Sequence, residues 1–306
     1  MWYFFVSVRS LSPRDRLLGE KLEILYRTYG VATAGSDPIV AVFPYPRPED
    51  REVAGWIASA LAYGRVETIQ TSVRRILEAL GPRPAETLDG VADFAAFARE
   101  RLSGFRHRFH GPEDAAALLF AISEARREAG SVGAFFQGEW RDEDADVAGL
   151  LSRAVARLTS FDFRRAGGSR RLGAHSPARF FFPDPAQGSA CKRWNLYLRW
   201  MVRRDALDFG LWPSIPTDRL VIPTDTHVHL VSRRLGLTRR RTPDWKTARA
   251  ITDALKRFDP VDPVRFDYAL CRIGIFGICH PQPALTRCGE CVAADACAFG
   301  RRRSAA

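Results

Sequence analysis

Apolar residues recur at helical spacing through most of the chain. Behind Pro48, residues Val53, Trp56, Ile57 and Ala60 fall on one helical face. The same periodicity, read with its Pro, Gly and Asp boundaries, predicts helices over 48–62, 66–80, 91–101, 112–129, 146–158, 190–204 and 225–235. Two more helices are predicted to start at Thr242-Pro243 and Asp262-Pro263. Alternating strand patterns are scarce, so we expect an all-α protein with two lobes.

The segments between these helices predict four regions. Residues 1–47 form an N-terminal segment expected to pack with the C-terminal lobe, and residues 48–204 form a barrel-like helical lobe. Residues 205–277 form the C-terminal helical lobe, and residues 278–306 form a cysteine-rich loop with a basic tail.

The composition is that of a globular protein with a basic surface. Hydrophobic residues make up 46% and charged residues 26%, and 46 Lys and Arg against 35 Asp and Glu give a net charge of +11. This sign favours an anionic partner such as nucleic acid, although a merely solvated basic surface gives the same number. The apolar start, Met1 to Val8, is too short for a signal peptide, and no stretch suits a membrane span. We therefore expect a cytoplasmic protein with reduced cysteines.

Four of the six cysteines crowd into the last part of the chain. Cys279, Cys288, Cys291 and Cys297 have the spacing C-x8-C-x2-C-x5-C. Four thiolates in a short loop can enclose a tetrahedral zinc ion or an iron–sulfur cluster. The spacing predicts a metal site and leaves zinc and iron–sulfur both open.

This loop resembles that of the endonuclease III and adenine-DNA glycosylase group, in the helix-hairpin-helix DNA glycosylase superfamily. The family pattern is C-x6-C-x2-C-x5-C, so the present loop has two extra residues in its first gap. The resemblance implies a 4Fe–4S cluster on the four cysteines and a two-lobed helical glycosylase-like fold. It also implies a cytoplasmic protein that associates with the nucleoid. The chain as a whole is similar to an uncharacterised bacterial branch of the superfamily.

A second match is Val221-Ile222-Pro223-Thr224-Asp225-Thr226-His227-Val228, which resembles the family's V-D-T-H-V stretch. The resemblance implies that Asp225 is the catalytic carboxylate and that His227 contacts DNA. A fixed carboxylate stabilises the positive charge that builds on the sugar as the N-glycosidic bond breaks. The alternative is that Asp225 only caps the following helix, because Asp is among the best capping residues.

A third match runs from Gly188 to Leu198 and resembles the family's G-x-G-x-K-T-A-N-x-x-L hairpin and helix. It implies DNA contacts from Gly188, Ser189 and Arg193, and it places Lys192 where bifunctional members keep a nucleophilic lysine. A neutral lysine amine attacks the sugar carbon to form a Schiff base. We expect Ser189 to cap the helix that carries Lys192. The hairpin is degenerate because Ala190 replaces its second glycine, and an ordinary exposed lysine is the alternative.

A fourth match is the turn Leu61-Ala62-Tyr63-Gly64-Arg65, where the family has a residue that fills the gap left by the flipped base. It implies that Tyr63 and Arg65 contact DNA. Further arginines are candidates for phosphate contacts: Arg199, Arg203, Arg204, Arg239, Arg240 and Arg241.

These motifs and the composition leave three hypotheses about the function. The first is a DNA glycosylase that flips a damaged base out of duplex DNA in base-excision repair, with or without lyase activity at abasic sites. The second is a non-catalytic binder of distorted DNA or structured RNA on the same scaffold, which the degenerate hairpin favours. The third is a zinc-stapled interaction protein with no role in nucleic acid.

Overall fold

The computed structural model describes residues 11–29, 35, 37–173 and 175–304. The described part is helical, which confirms the predicted all-α class. Its thirteen helices are α1 (Pro13–Thr28), α2 (Pro48–Ala60), α3 (Val66–Leu80), α4 (Pro84–Gly90), α5 (Phe94–Arg101), α6 (Pro112–Ala129), α7 (Val132–Gln137), α8 (Ala148–Ser160), α9 (Lys192–Val202), α10 (Thr226–Leu235), α11 (Trp245–Leu255), α12 (Asp267–Ile275) and α13 (Ala298–Ser304). Between the described residues, β pairing is limited to isolated bridges.

The helix starts of α9, α11 and α12 differ from the prediction. Helix α12 begins at Asp267, not at Asp262-Pro263, because a 3-10 turn, Pro263–Phe266, precedes it. Helix α11 begins at Trp245, not at Thr242-Pro243, because the Asp244 carboxylate accepts the Thr247 N–H at 2.7 Å and caps the helix there. Helix α9 begins at Lys192 after Cys191, and Ser189 is not its cap. The Ser189 hydroxyl instead accepts the Cys191 N–H at 3.2 Å, which closes the turn before the helix.

The larger hydrophobic core lies among α2 to α9. Its centre is aromatic: Trp56 on α2, Phe136 on α7, Tyr197 on α9 and the loop residue Trp212 are all fully buried. Phe136 and Trp212 stack with ring centroids 5.3 Å apart. These contacts fix α9 against α2, and the first residue of α9 is Lys192.

A second core lies among α1 and α10 to α13. Leu22 of α1 packs with Val231 of α10, Ile251 of α11 and Leu270 of α12, all buried. The N-terminal helix thus belongs to this core, while the 3-10 turn Pro38–Ala41 contacts α2 and α3. Residues 1–10, 30–34 and 36 of the predicted N-terminal segment lie outside the described residues.

A buried ionic network joins the two cores. Arg199 on α9 donates to Asp267 on α12 at 2.5 Å and lies 3.3 Å from Asp208. Arg203 pairs with Asp208 and with Asp262 at 2.7 Å. Both arginines had been candidates for phosphate contacts, and the structure corrects this because both are 3% exposed or less and are bound to these carboxylates.

Over the described ranges, no helix has the length and hydropathy needed to cross a membrane.

Candidate functional site

A cleft of about 690 Å³ lies between the two cores. Its walls come from the turn after α2, the start of α9, the segment that leads into α10, and α12. Five residues that were predicted from three separate motifs line the cleft together: Tyr63, Arg65, Lys192, Asp225 and His227. The volume is in the range of roughly 300–1,000 Å³ that is usual for small-molecule sites.

Asp225 is half-buried at the start of α10, where it caps the helix as the sequence predicts. Its Oδ1 accepts the Val228 N–H at 2.8 Å. Pro223, with no N–H and a fixed φ, leads the chain into this cap. Across the described part of the chain, no Lys, Arg or His nitrogen lies within salt-bridge distance of the Asp225 carboxylate. The carboxylate therefore carries its charge into the cleft without an ion-pair partner.

Lys192 is the first residue of α9 and is half-buried. Its Nζ donates to the Ala62 carbonyl oxygen at 2.8 Å, so the amine is held against the turn that follows α2. Within the described ranges, no carboxylate forms a salt bridge with it. The amine thus lies in the same cleft as Asp225 without being neutralised by an acid.

The Tyr63 turn is fixed by two buried histidines, which the sequence analysis had not singled out. His107 donates from Nε2 to the Tyr63 carbonyl oxygen at 3.1 Å, and its Nδ1 accepts from Ser72 at 2.9 Å. His110 donates from Nε2 to the Pro177 carbonyl oxygen at 3.0 Å, so its Nδ1 accepts the Tyr63 hydroxyl. Burial lowers the pKa of His107 to about 4 and also lowers that of His110. Both rings are therefore neutral parts of the scaffold at pH 7.

Two exposed aromatic rings stand beside this turn. Phe109 and Phe180 are 51% and 40% exposed, and their ring centroids are 5.2 Å apart. The Phe180 centroid lies 4.8 Å from that of Tyr63. Together the three rings form an aromatic rim, of which Tyr63 lines the cleft.

Arg193 does not line the cleft. One of its terminal nitrogens donates to the Ala60 carbonyl oxygen at 3.1 Å and the other to that of Phe180. Its guanidinium lies 3.9 Å from the Phe180 ring centroid. Burial lowers the pKa of Arg193 to about 10. The side chain ties the rim to α2, and its contact with DNA stays a prediction.

Gly188 and Ser189 also lie outside the cleft lining. The Gly188 carbonyl accepts the Trp245 N–H at 3.2 Å, and Ser189 pairs with Asp244 in an isolated antiparallel β-bridge. The hairpin therefore rests on the start of α11. The left-handed backbone positions in this hairpin are Gly188, at φ +81°, and Cys191, at φ +46°. Ala190 is not one of them, so the loss of the second glycine brings no backbone strain there.

The base of the cleft is ionic. Asp267, Arg199 and Arg272 line it, and Arg272 pairs with Asp37 at 3.0 Å. Burial raises the pKa of Asp267 to about 6. Sequence reasoning missed this role for Asp267 because a charged residue on an amphipathic helix normally faces solvent.

His227 lies against α12 at the side of the cleft. A Cβ placed on Gly274 would come within 2.6 Å of the His227 Cβ. Glycine at this position therefore allows α10 and α12 to approach closely enough for Asp225 and α12 to share one cleft.

The four C-terminal cysteines are free thiols, and Cys279 and Cys297 are buried. Burial raises the pKa of Cys291 to about 11, with smaller contributions from the charges of the other three thiols, which are thus near neighbours. Among the residues that the structure describes, no three His, Cys, Asp or Glu side chains converge into a metal-holding group. Four free thiols in one segment suit a thiolate-bound group by their chemistry, and its identity stays a prediction.

A larger depression of about 900 Å³ lies between the 38–50 segment and α3. Its wall includes Val73 and Leu77, and its buried acid, Asp50, accepts the Ala85 N–H at 3.0 Å. Because that acid is committed to the start of α4, the smaller cleft holds the more reactive groups.

The fold and the cleft define an all-α protein with a charged site between two cores. The chain belongs to the family described as "Protein of unknown function (DUF2400)", whose model matches residues 37–276. It is also similar to Endonuclease III of Thermotoga maritima, with 36% identity over 107 residues. That match covers 33% of this chain and 44% of the relative, so the chain spans less than half of that protein's length. No solved structure gives a significant match.

Proposed function

We propose that this protein is a DNA glycosylase that flips a damaged base out of duplex DNA and excises it. The observation that carries the proposal is that Asp225 and Lys192, more than thirty residues apart in the sequence, line one cleft without being neutralised by ion pairs. A base and its sugar need a pocket of this size once they leave the helix. The similarity to Endonuclease III over a third of the chain supports the same chemistry.

In this proposal Asp225 stabilises the positive charge that develops on the sugar as the base departs. Its Oδ1 is held by the helix cap, which fixes the carboxylate before the substrate arrives. Preorganised charge is more effective than a mobile side chain, because no reorganisation is needed during the reaction.

Lys192 is proposed to attack the sugar carbon as the bond from that carbon to the base breaks, and the base leaves with the bonding electrons. Opening of the sugar ring then gives a Schiff base, which would add lyase activity at abasic sites. Its Nζ is held by the Ala62 carbonyl at 2.8 Å, so it must be released from that carbonyl to react. The lyase step is thus more demanding than base release, and base release alone is compatible with the cleft.

The aromatic rim and Arg65, in the turn that follows α2, would contact the opened duplex. Aromatic faces stack on unpaired bases of any sequence, and Arg65 at the entrance is exposed and free to approach phosphate. We also propose that the four cysteines hold a 4Fe–4S cluster, with zinc as the alternative. When bound, such a group would brace the C-terminal segment against α10 and take no part in base release.

The experiment is borohydride trapping on a panel of duplexes, each carrying one damaged base or one abasic site. The proposal predicts base release on at least one lesion, lost in Asp225→Asn. Trapping that disappears in Lys192→Ala indicates a bifunctional enzyme, and base release without trapping assigns the chemistry to Asp225 alone.

The second candidate is a non-catalytic binder of distorted DNA or structured RNA. It is favoured by the hairpin, which rests on α11 and lies outside the lining of the cleft. Tight, salt-dependent binding with no reaction on any lesion would support this candidate and exclude the glycosylase.

A further inference from the structure

Cys271 on α12 lies in the wall of the cleft, outside the four-cysteine segment. Its Sγ is 3.7 Å from Oδ2 of Asp225, within the range of an S–H···O hydrogen bond. The other carboxylate oxygen, Oδ1, accepts the Val228 N–H. Both oxygens of Asp225 are therefore in contact with donors, one from the backbone and one from a thiol.

The Cys271 thiol is held in its protonated form. Its pKa is raised well above the ordinary value, first by burial and then by the charges of Asp225, Asp267 and Asp37, while Lys192 opposes the rise. A protonated thiol donates a hydrogen bond and brings no charge of its own. It can therefore orient a carboxylate without neutralising it, which an arginine or lysine would do.

The charged and titratable groups around this contact come from four elements. They are Asp37 before the Pro38–Ala41 turn, Lys192 and Arg199 on α9, His227 on α10, and Asp267 and Arg272 on α12. The two guanidinium groups are engaged, since Arg199 pairs with Asp267 and Arg272 with Asp37. The thiol is thus the side-chain donor that the described structure gives to Asp225.

We propose that Cys271 is a positioning residue, whose S–H group holds Oδ2 of Asp225 and fixes the direction in which the carboxylate faces the substrate. This inference rests on the proposed role of Asp225 in base release. The thiol itself neither touches substrate nor forms a covalent bond in the reaction.

The contact is tested without turnover, by infrared spectroscopy of the S–H stretch, which lies in a spectral window free of other protein bands. The Cys271 band is identified by its loss in Cys271→Ser. We expect it to move to higher frequency in Asp225→Asn, because an amide oxygen accepts a weaker hydrogen bond than a carboxylate. An unmoved band would overturn the contact.

Cys191 supplies a matched control within the same spectra. It is a buried thiol whose Sγ donates to the Pro183 carbonyl oxygen at 3.5 Å, and it does not line the cleft. Its band, identified by Cys191→Ser, should stay in place in Asp225→Asn. If both bands move together, the substitution has disturbed the protein broadly and the specific contact is overturned.

The positioning role is tested by single-turnover kinetics on the lesion that the wild type releases best. Cys271→Ala should lower the rate of base release about 3- to 10-fold, the loss expected for one ordinary hydrogen bond, because a thiol is a weak donor, with DNA affinity unchanged. Cys271→Ser should stay within about 2-fold of wild type, because a hydroxyl donates in the same place.

The outcomes separate this inference from the proposed function. A wild-type rate in Cys271→Ala, with active protein, overturns positioning and leaves the role of Asp225 intact. Equal losses of rate and DNA affinity in both variants indicate a packing role and also overturn it. If the wild type releases no base, the kinetic claim falls with the proposed function, and the infrared band alone decides whether the thiol holds Asp225.

Discussion

Asp225 and Asp244 cap successive helices in the same way, and of the two only Asp225 lines the cleft. Each carboxylate accepts an N–H three residues further on, at 2.8 Å and 2.7 Å. The helix cap therefore does not distinguish Asp225 from Asp244. The difference is in the surroundings: Asp244 pairs with Arg240, and Asp225 faces the cleft without a cation.

This equivalence gives a prediction at the residue scale. Asp225→Asn should change the free energy of unfolding by less than about 0.5 kcal/mol, because Asn caps a helix about as well as Asp. Asp225→Ala, which removes the cap, should cost about 1 kcal/mol. Urea unfolding of both variants, beside Asp244→Asn and Asp244→Ala, measures this, and a large loss in Asp225→Asn would mean that the residue is mainly structural.

At this scale the sequence predicts those residues that belong to spaced motifs. Asp225, Lys192 and the four cysteines were predicted as site residues from their neighbours in the chain, and their roles stay predictions. Cys271 and Asp267 were not, because nothing in their local spacing distinguishes them from ordinary positions of α12. Their place in the proposed site comes from three-dimensional contacts with α9 and α10.

At the scale of elements, the helical period located the long amphipathic helices well. It missed α4 and α7, whose seven and six residues are too short to show a period. It also missed α1, although Leu18, Leu22 and Leu25 lie on one face of it. Helix starts were predicted wrongly where two nearby residues could both cap the helix, as Thr242 and Asp244 could. The helix starts after the residue whose side chain accepts an N–H of the first turn, which here is Asp244.

The turn between His107 and His110 gives a prediction of pH dependence. His107 is fully buried with a pKa lowered to about 4, so between about pH 6.5 and pH 4 the unfolded chain binds more protons than the folded one. The free energy of unfolding should therefore fall as the pH falls, by up to about 3 kcal/mol from this residue. His107→Gln should lack this part of the slope.

The measurement is urea unfolding of the wild type and of His107→Gln from pH 7 to pH 4. The pH dependence that other groups contribute cancels in the difference between the two free energies of unfolding. His175→Gln, at an exposed position, is the control and should follow the wild type. An identical slope in wild type and His107→Gln would contradict the neutral, buried role of this histidine.

The cysteine segment gives a prediction of its own. Protein purified without oxygen should be brown and contain iron and sulfide, and Cys288→Ser should lose both. Cys191→Ser, a buried thiol elsewhere, should keep them. Stoichiometric zinc in place of iron, in a colourless preparation, would replace the cluster by a zinc site.

At the scale of the whole molecule, the two cores are joined by buried charges. Two lobes were expected from the helical pattern, but the pattern could not show how α9 meets α12. That junction depends on Arg199 and Arg203, which the sequence suggested for phosphate and which the structure places among four aspartates. Part of the basic charge that the composition suggested for an anionic partner therefore forms ion pairs within the protein.

This junction predicts a stability effect. Arg199→Met should cost about 3–5 kcal/mol at pH 7, because it leaves Asp267 buried without its cation and Asp208 with Arg203 alone. The cost should shrink toward pH 5, because burial already raises the pKa of both carboxyls to about 6 and protonation then removes the uncompensated charge. Arg204→Met, at an exposed neighbouring position, should cost little. A cost that does not depend on pH would contradict this account.

The central claim is that Asp225, in the cleft between the cores, enables base release. The most direct measurement is the single-turnover rate of base release by Asp225→Asn and Asp244→Asn, at saturating enzyme, on the lesion that the wild type processes best. We predict a fall of about 100-fold or more for Asp225→Asn, with DNA binding retained, and a rate near wild type for Asp244→Asn. Equal rates in the two variants, or no release by the wild type on any lesion, would contradict the claim.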